Sequence, residues 1–193
     1  MKKVLLFLAN GFEVLEASAF IDVIGWNLIE GDCSTKLFSC GLSKEVSSSF
    51  DQKFVVDYKI EEIDVNSFDA LAIPGGFEQF EYYKEAFDER FLNLIRSFND
   101  KNKIIASICV GALPIGKSGV LENKLGTTYN TKHRREMLKS FGVRHIDKPI
   151  VKSGNIITSM GPSTAIDVAF LLLELLTSEE NTNKVRQLMG FNN

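Results

Sequence analysis

Short apolar runs alternate with segments of helical periodicity along the whole chain. Val4–Ala9 is continuously apolar, as is typical of a strand buried on both faces, and Leu71–Ile73 is a similar run that Pro74 ends. After the first run, apolar residues recur every three or four positions, which predicts an amphipathic helix. The predicted buried face of this helix consists of Val14, Ala17, Ile21, Ile24 and Leu28.

The same alternation continues to the end of the chain. Further strands are predicted at Lys36–Ser39, Lys53–Val56, Lys103–Ile108 and Thr127–Tyr129, and a hairpin at Val151–Ile157. Further helices are predicted from near Asp88 to before Lys101, over Lys132–Phe141 and over Ser163–Leu176. No linker or repeat interrupts the pattern, so residues 1–193 are predicted to form one α/β domain, with a mainly parallel sheet between layers of helices.

Composition narrows the function classes. A hydrophobic content of 45% and a charged content of 24% are typical of a globular protein. The net charge of −3 provides no electrostatic basis for nucleic-acid binding. The densest basic cluster, Lys132–Arg135, is short and precedes Glu136, so it is predicted to be a solvated helix face.

The apolar segments and the cysteines set further expectations. The run Val4–Ala9 is shorter than the core of a secretory signal, and Ala165–Leu176 is too short to span a bilayer. Three cysteines without CxxC spacing favour reduced thiols and a cytoplasmic location. His133 and His145 are far from each other and from any acidic cluster, so no metal is expected. The absence of a GxGxxG or P-loop motif predicts no organic cofactor.

Cys109 occupies a corner between a predicted strand and the start of a helix. A side chain there stands above the unpaired N–H groups that open the helix, and these favour an anion. The thiol is therefore expected to lose its proton more easily than a free cysteine, which makes it a candidate nucleophile or redox sensor. The alternative is that Cys109 is packing material, as buried cysteines commonly are.

Three segments converge on one edge of the predicted sheet. Glu13–Glu16 follows the first strand, Ala72–Gly76 ends a second strand, and Ala106–Gly111 contains Cys109. In sheets of this type, binding sites form beyond the carboxyl ends of the strands. Two further segments, Thr127–Tyr129 and Thr158–Thr164, complete an ordered set of five.

This set resembles the motifs of the DJ-1/ThiJ/PfpI family, with the bacterial ThiJ-like branch the nearest. The resemblance covers nearly the whole chain. It implies a flavodoxin-like sandwich, similar to the class I glutamine amidotransferases, with a nucleophile elbow at Cys109. It also implies that the protein is a homodimer.

The resemblance assigns roles to individual residues. Cys109 matches the reactive cysteine of the family, and Glu16 matches the acidic residue whose carboxyl group approaches that sulfur. Gly75, Gly76 and Val110 match the small anion pocket beside the thiol, to which Gly76 and Val110 contribute backbone N–H groups. Alternatives remain for two of these positions: Glu16 as an exposed first-turn carboxylate, and the Gly75–Gly76 pair as a simple turn.

The chain also departs from the family pattern. Val110 follows the cysteine where protease-like members have His, which argues against a Cys-His dyad. Tyr129 stands where some glyoxalase members have His; its phenol can polarise a carbonyl but is a poor base at neutral pH, and it is as readily explained by packing. The pocket arginine of many members is missing from the segment Ser48–Phe50. The expected catalytic set is therefore Cys109, Glu16 and Tyr129.

Two functions fit this set. In the first, Cys109 and Glu16 act on small 2-oxoaldehydes such as methylglyoxal, or on glycated side chains, without metal or glutathione. In the second, Cys109 oxidises to a sulfinate, and the protein is an oxidative-stress sensor or a holdase chaperone. An amidotransferase reaction is not expected, because no H-x-E element follows the cysteine.

Overall fold

The computed structural model describes residues 1–191. Its strands are β1 (Lys2–Phe7), β2 (Thr35–Gly41), β3 (Glu45–Ser47), β4 (Lys53–Val55), β5 (Tyr58–Lys59), β6 (Ala70–Ile73), β7 (Ile104–Ser107), β8 (Leu125–Gly126), β9 (Arg144–His145), β10 (Ile150–Ser153) and β11 (Ile156–Ser159). Its α-helices are α1 (Val14–Glu30), α2 (Tyr82–Ala86), α3 (Glu89–Asp100), α4 (Ala112–Lys117), α5 (Lys132–Ser140), α6 (Ala165–Leu176) and α7 (Glu179–Leu188).

Seven of these strands form the central sheet, in the order β10-β11-β7-β6-β1-β2-β5. All neighbouring pairs are parallel except β10 and β11, which form the predicted hairpin. The central strands are apolar because both of their faces are covered; Val4, Leu5 and Leu6 of β1 are fully buried. The predicted flavodoxin-like fold is confirmed.

The topology creates a crevice at one edge of the sheet. Along the sheet, the step from β1 to its neighbour β2 runs in one direction, and the step from β6 to its neighbour β7 runs in the opposite direction. Right-handed crossovers therefore place α1 and α3 on opposite faces of the sheet. Helices α6 and α7 pack with α1, and helices α4 and α5 pack on the side of α3. The reversal lies between β1 and β6, and ligand sites of such folds open beyond the carboxyl ends of the strands at this point.

Helix α1 differs from its predicted orientation. Ile21, which was expected on the buried face, is 41% exposed. Trp26 and Ile29 are also exposed, at 40% and 71%. The helix has apolar residues on two faces, one buried and one exposed. The face predicted from periodicity alone lies between them and includes residues of both. Its buried face includes two polar side chains and consists of Glu16, Ala17, Ala19, Phe20, Val23, Ile24 and Asn27.

The strand predicted at Thr127–Tyr129 is also wrong. The strand at this point is β8, which ends at Gly126, and the two threonines that follow are buried but irregular. The Thr127 N–H donates to Thr158 Oγ1 at 3.0 Å, so side-chain bonding replaces a strand ladder here. Helices α2 and α7 were not predicted. None of the helices within residues 1–191 has the length and apolar character needed to cross a membrane.

Candidate active site

Cys109 lies in a sharp turn directly after β7. Its φ is 57°, in the left-handed region that residues other than glycine rarely adopt. Two hydrogen bonds hold the turn: Gly111 N–H donates to Ile108 O at 2.9 Å, and the Thr128 hydroxyl donates to Cys109 O at 3.0 Å. A strained residue between a strand and a helix is the geometry of a nucleophile elbow, as predicted.

Glu16 approaches this elbow from the first turn of α1. Its side chain is completely buried, so the alternative of an exposed first-turn carboxylate is wrong. Glu16 Oε2 accepts a hydrogen bond from Gly75 N–H at 2.6 Å, and the carboxyl group also interacts with the Cys109 thiol and with Glu13. Burial, followed by the negative charge of Glu13, raises the pKa of Glu16 to about 8. Glu16 is therefore mostly protonated at neutral pH.

The thiol itself is not acidified in the way its position after a strand suggested. Cys109 is only 5% exposed, and burial, followed by the charge of Glu16, raises the pKa of its thiol above the ordinary value. The Val110 N–H lowers the pKa of the thiol, but by less than burial raises it. Both partners thus resist ionisation, and the pair holds its protons at neutral pH until one proton moves between them or to a ligand.

Gly75 lies between these two side chains. A Cβ at this position would lie 2.9 Å from Cys109 Cβ and 2.9 Å from Glu16 Oε2, closer than real Cβ contacts. Only glycine lets the carboxyl group and the thiol share this space. The Gly75 N–H is already bonded to Glu16, so Gly75, which was predicted to line the anion pocket, positions Glu16, and Gly76 lines the cavity.

A cavity of about 410 Å³ opens beside the thiol. Cys109, Gly76, Val110 and Tyr129 all line it, so the structure brings these predicted residues together. Tyr129 is 45% exposed, which places its ring at the surface of the site instead of in the core. The remaining lining residues are Glu13, Phe77, Glu78, Gln79, Thr131, His133, Arg134 and Pro162.

Glu13 is a site residue that sequence reasoning left without a role. It lines the cavity and interacts with the Glu16 carboxyl group, one helical turn away. Partial burial raises the pKa of Glu13 above its usual value. The signal was present in the sequence, because two glutamates three positions apart at the start of a helix lie on the same face.

Arg134 is the second residue that was missed. The cluster Lys132–Arg135 was predicted to be solvated, but the Arg134 side chain is only 16% exposed and lines the cavity. Arg134 Nη2 donates to Glu78 Oε2 at 2.7 Å, and this ion pair lowers the pKa of Glu78. The neighbouring Arg135 points elsewhere and bonds Asn130. No local pattern distinguishes the two arginines.

Residues 2–175 match the model of the DJ-1/PfpI family. The chain belongs to this family. It is 29% identical to protein dj-1beta of Drosophila melanogaster over 197 residues, which covers 99% of each chain. It is 31% identical to a Schizosaccharomyces pombe protein named glutathione-independent glyoxalase DJ-1, over 96% of each. The crystal structure of Drosophila DJ-1beta superposes with a TM-score of 0.84 at 28% identity, covering 97% of each chain.

Some family members are longer than this chain. It spans 46% of the DJ-1 homolog A of Arabidopsis thaliana, at 29% identity, although 97% of the chain is aligned. Within residues 1–191 of this DJ-1/PfpI-family chain, no group of three His, Cys, Asp or Glu side chains is arranged to hold a metal ion.

Proposed function

We propose that this DJ-1/PfpI-family protein converts small 2-oxoaldehydes, such as methylglyoxal, into 2-hydroxy acids without glutathione. One observation carries the proposal: a fully buried glutamate with a pKa of about 8 interacts with the cysteine at the nucleophile elbow. A carboxyl group whose pKa lies near the working pH can both accept and return a proton. The name of the S. pombe relative, glutathione-independent glyoxalase, supports the same reaction class.

In the first step, the fraction of Glu16 that is ionised near its pKa of about 8 takes the Cys109 proton, and the thiolate adds to the aldehyde carbon. The carbonyl π electrons move to its oxygen, which the backbone N–H groups of Gly76 and Val110 stabilise. Glu16 then gives its proton to this oxygen, leaving a hemithioacetal and an ionised carboxylate. Tyr129, in the cavity wall, donates a hydrogen bond to a substrate carbonyl.

In the second step, the proton on the sulfur-bearing carbon is removed. The neighbouring ketone acidifies this proton, and the Glu16 carboxylate takes it, which forms an enediolate with its negative charge on the former ketone oxygen. The hydroxyl proton on the sulfur-bearing carbon then moves to that oxygen. Glu16 returns its own proton to the former ketone carbon while the remaining oxyanion forms the carbonyl, and the product is a thioester of a 2-hydroxy acid. Water hydrolyses the thioester and restores the thiol. The net reaction adds one water to the oxoaldehyde and requires no oxidant.

Glu13 has a supporting role in this scheme. It contacts both the buried Glu16 and the cavity, so it provides a path by which protons exchange with solvent. The same hemithioacetal chemistry extends to glycated side chains. A cavity of about 410 Å³ with polar groups at its rim can admit the end of such a side chain.

The direct test is a product assay. Purified protein is incubated with methylglyoxal, and lactate is followed by proton NMR. Wild type and Cys33→Ser should both form lactate, because Cys33 is an exposed thiol that does not line the cavity. Cys109→Ser should form none above the uncatalysed rate. Absence of lactate with wild-type protein would overturn the proposed reaction.

A second function is favoured by the donors around the sulfur. A protonated Glu16 and the Val110 N–H both stabilise negative charge at Cys109, and a sulfinate carries such a charge. Peroxide would supply the two oxygens, and the protein would then act as an oxidative-stress sensor or holdase chaperone. Mass spectrometry after peroxide treatment tests this: a stable two-oxygen adduct on Cys109 supports the sensor, and progression to the sulfonate contradicts it.

We also propose that the protein forms a homodimer through α1. Ile21, Gly25, Trp26 and Ile29 line an open groove of about 490 Å³ on the exposed face of this helix. An apolar face of this kind on a helix needs a partner, and a second copy provides a matching one. Sedimentation should show twice the mass of 21.6 kDa, and Ile29→Lys should shift the species to the monomer. A wild-type monomer at micromolar concentration would contradict this.

A further inference from the structure

The proposed reaction contains one proton transfer that Glu16 cannot make. While the enediolate exists, Glu16 holds the proton that it took from the sulfur-bearing carbon and must return it to the neighbouring carbon. The hydroxyl proton therefore needs a second carrier to reach the former ketone oxygen. This carrier has to touch the substrate, so it belongs among the side chains that line the cavity beside Cys109.

Most of the lining side chains are unsuited to carry this proton. The ion pair with Arg134 lowers the pKa of Glu78, so this carboxyl group stays ionised at neutral pH, and the guanidinium keeps its own protons. Glu13 interacts with Glu16 and so exchanges the carbon-bound proton. Alcohol, phenol and amide groups are poor bases at neutral pH, and these belong to Thr131, Tyr129 and Gln79.

Among the cavity-lining residues that the structure describes, His133 alone has an imidazole ring. It lies in the first turn of α5, and its side chain is exposed to the cavity and to solvent. Two contacts hold this turn beside the cavity: the Thr131 hydroxyl accepts a hydrogen bond from Arg134 N–H at 3.4 Å, and the Arg134 side chain pairs with Glu78. The charge of His133 also acts on Glu78, so the ring lies within electrostatic reach of that carboxylate.

We propose that His133 carries the hydroxyl proton between the two oxygens of the enediolate, an inference that rests on the proposed function. Protonated His133 donates its N–H proton to the oxyanion on the former ketone carbon, which gives a neutral enediol. The neutral ring then accepts the hydroxyl proton from the sulfur-bearing carbon, while Glu16 protonates the neighbouring carbon and the thioester carbonyl forms. His133 ends in its starting state, and no further reactant is consumed.

The test compares His133→Ala with His145→Ala, which removes a histidine of β9 that does not line the cavity. Lactate formation from methylglyoxal is followed by proton NMR over one series of concentrations. His133→Ala should lower kcat by about 10²-fold, the lower end of the range for general acid–base catalysis, because water partly replaces an exposed ring. KM should stay within about twofold of wild type. His145→Ala should keep the wild-type kcat.

Two further readouts separate proton transfer from a structural role. Iodoacetamide should alkylate Cys109 of His133→Ala at the wild-type rate, because the ring acts only after the thiol has added to the substrate. Imidazole added at neutral pH should raise kcat of His133→Ala by about tenfold and leave His145→Ala unchanged, since the free base enters the space that the side chain left. Cys109→Ser with the same imidazole concentration gives the background rate.

The possible failures are distinguishable. Wild-type lactate formation with an unchanged kcat in His133→Ala would overturn the carrier role alone. An equal loss in His145→Ala, slower alkylation of Cys109 in His133→Ala, or no rescue by imidazole would do the same. Absence of lactate with the wild type would overturn the proposed function, and the carrier role with it.

Discussion

Two glutamates of the active site, Glu16 and Glu78, have opposite environments. Glu16 is completely buried beside Cys109, and burial raises its pKa to about 8. The Glu78 side chain is 62% exposed at the cavity wall, and the ion pair with Arg134 lowers its pKa. The two positions therefore give the same side chain different charge states at neutral pH.

This difference in pKa indicates a different chemical role for each glutamate. A carboxyl group with a pKa near neutrality can exchange protons with a substrate, whereas one with a lowered pKa remains a fixed negative charge. We infer that the start of α1 performs proton transfer, through the buried Glu16 and through Glu13 in the cavity wall. Glu78, paired with Arg134 in the same wall, remains a fixed negative charge.

The largest expected effect comes from Glu16→Gln. Glutamine keeps the shape and the contact with Gly75 N–H but cannot accept and return a proton, so lactate formation should fall by about 10³-fold in kcat. Glu78→Gln should change kcat/KM by no more than about tenfold, mainly through KM.

Glu136→Gln serves as the control, because Glu136 is an exposed residue of α5 that pairs with Lys139. Lactate formation by all three variants is compared by proton NMR over the same series of methylglyoxal concentrations. Equal kcat values for Glu16→Gln and the wild type would remove Glu16 from the proton-transfer role.

Gly75→Ala should have the next largest effect. The added Cβ would lie 2.9 Å from both Cys109 Cβ and Glu16 Oε2, so it must push the thiol and the carboxyl group apart. We expect kcat to fall by about 10²-fold, the cost of a misplacement near 1 Å, and stability to fall by about 1–3 kcal/mol through overpacking. Unchanged turnover would show that the close approach of Cys109 and Glu16 is not needed for catalysis.

The smallest effect is a pH dependence of stability with opposite signs for the two glutamates. The folded pKa of Glu16 lies above the unfolded value, so between about pH 4.5 and pH 8 the unfolded state releases a proton that the folded state keeps. Stability is therefore lost as pH rises through this window. Glu16→Gln removes this titration and should therefore remove the loss of stability. A loss of about 1 kcal/mol at pH 8 corresponds to a Tm for the variant that is roughly 2–4 °C above that of wild type.

Glu78 should behave in the reverse way. Its folded pKa is lowered, so its contribution to stability is present above the unfolded pKa and disappears as the solution is acidified. Glu78→Gln should leave Tm equal to or slightly below wild type at pH 8. Thermal melts of both variants at pH 4.5 and pH 8 check the pair, and a Glu16→Gln variant that is less stable than wild type at pH 8 would contradict the sign.

The sheet and the elbow were predictable from local signals. Continuous apolar runs identified β1 and β6, because a strand covered on both faces has no polar side to alternate. The corner at Cys109 was visible as a strand followed at once by small residues. The exposed apolar face of α1 was not predicted, since helical periodicity cannot distinguish a face that packs on the sheet from one that awaits a partner.

The site was predicted less completely than the fold. Cys109, Gly76, Val110 and Tyr129 were located through motifs, and all of them line the cavity. The role of Arg134 depends on packing over Tyr83, which is 51 positions earlier in the chain, and no local pattern contains that contact. The prediction that the Cys109 thiol loses its proton easily was wrong for the same reason. Burial raises the pKa of this thiol, and burial is a property of the whole fold.

The central claim, that Glu16 is poised to exchange protons with Cys109, can be tested on the carboxyl group itself. Protein labelled with ¹³C at the glutamate carboxyl carbons is titrated by NMR, and the Glu16 signal is assigned as the one lost in Glu16→Gln. We expect this signal to titrate with an apparent pKa of about 8, while Glu78 titrates below the usual value for glutamate. A Glu16 signal that titrates at an ordinary glutamate pKa would contradict the account.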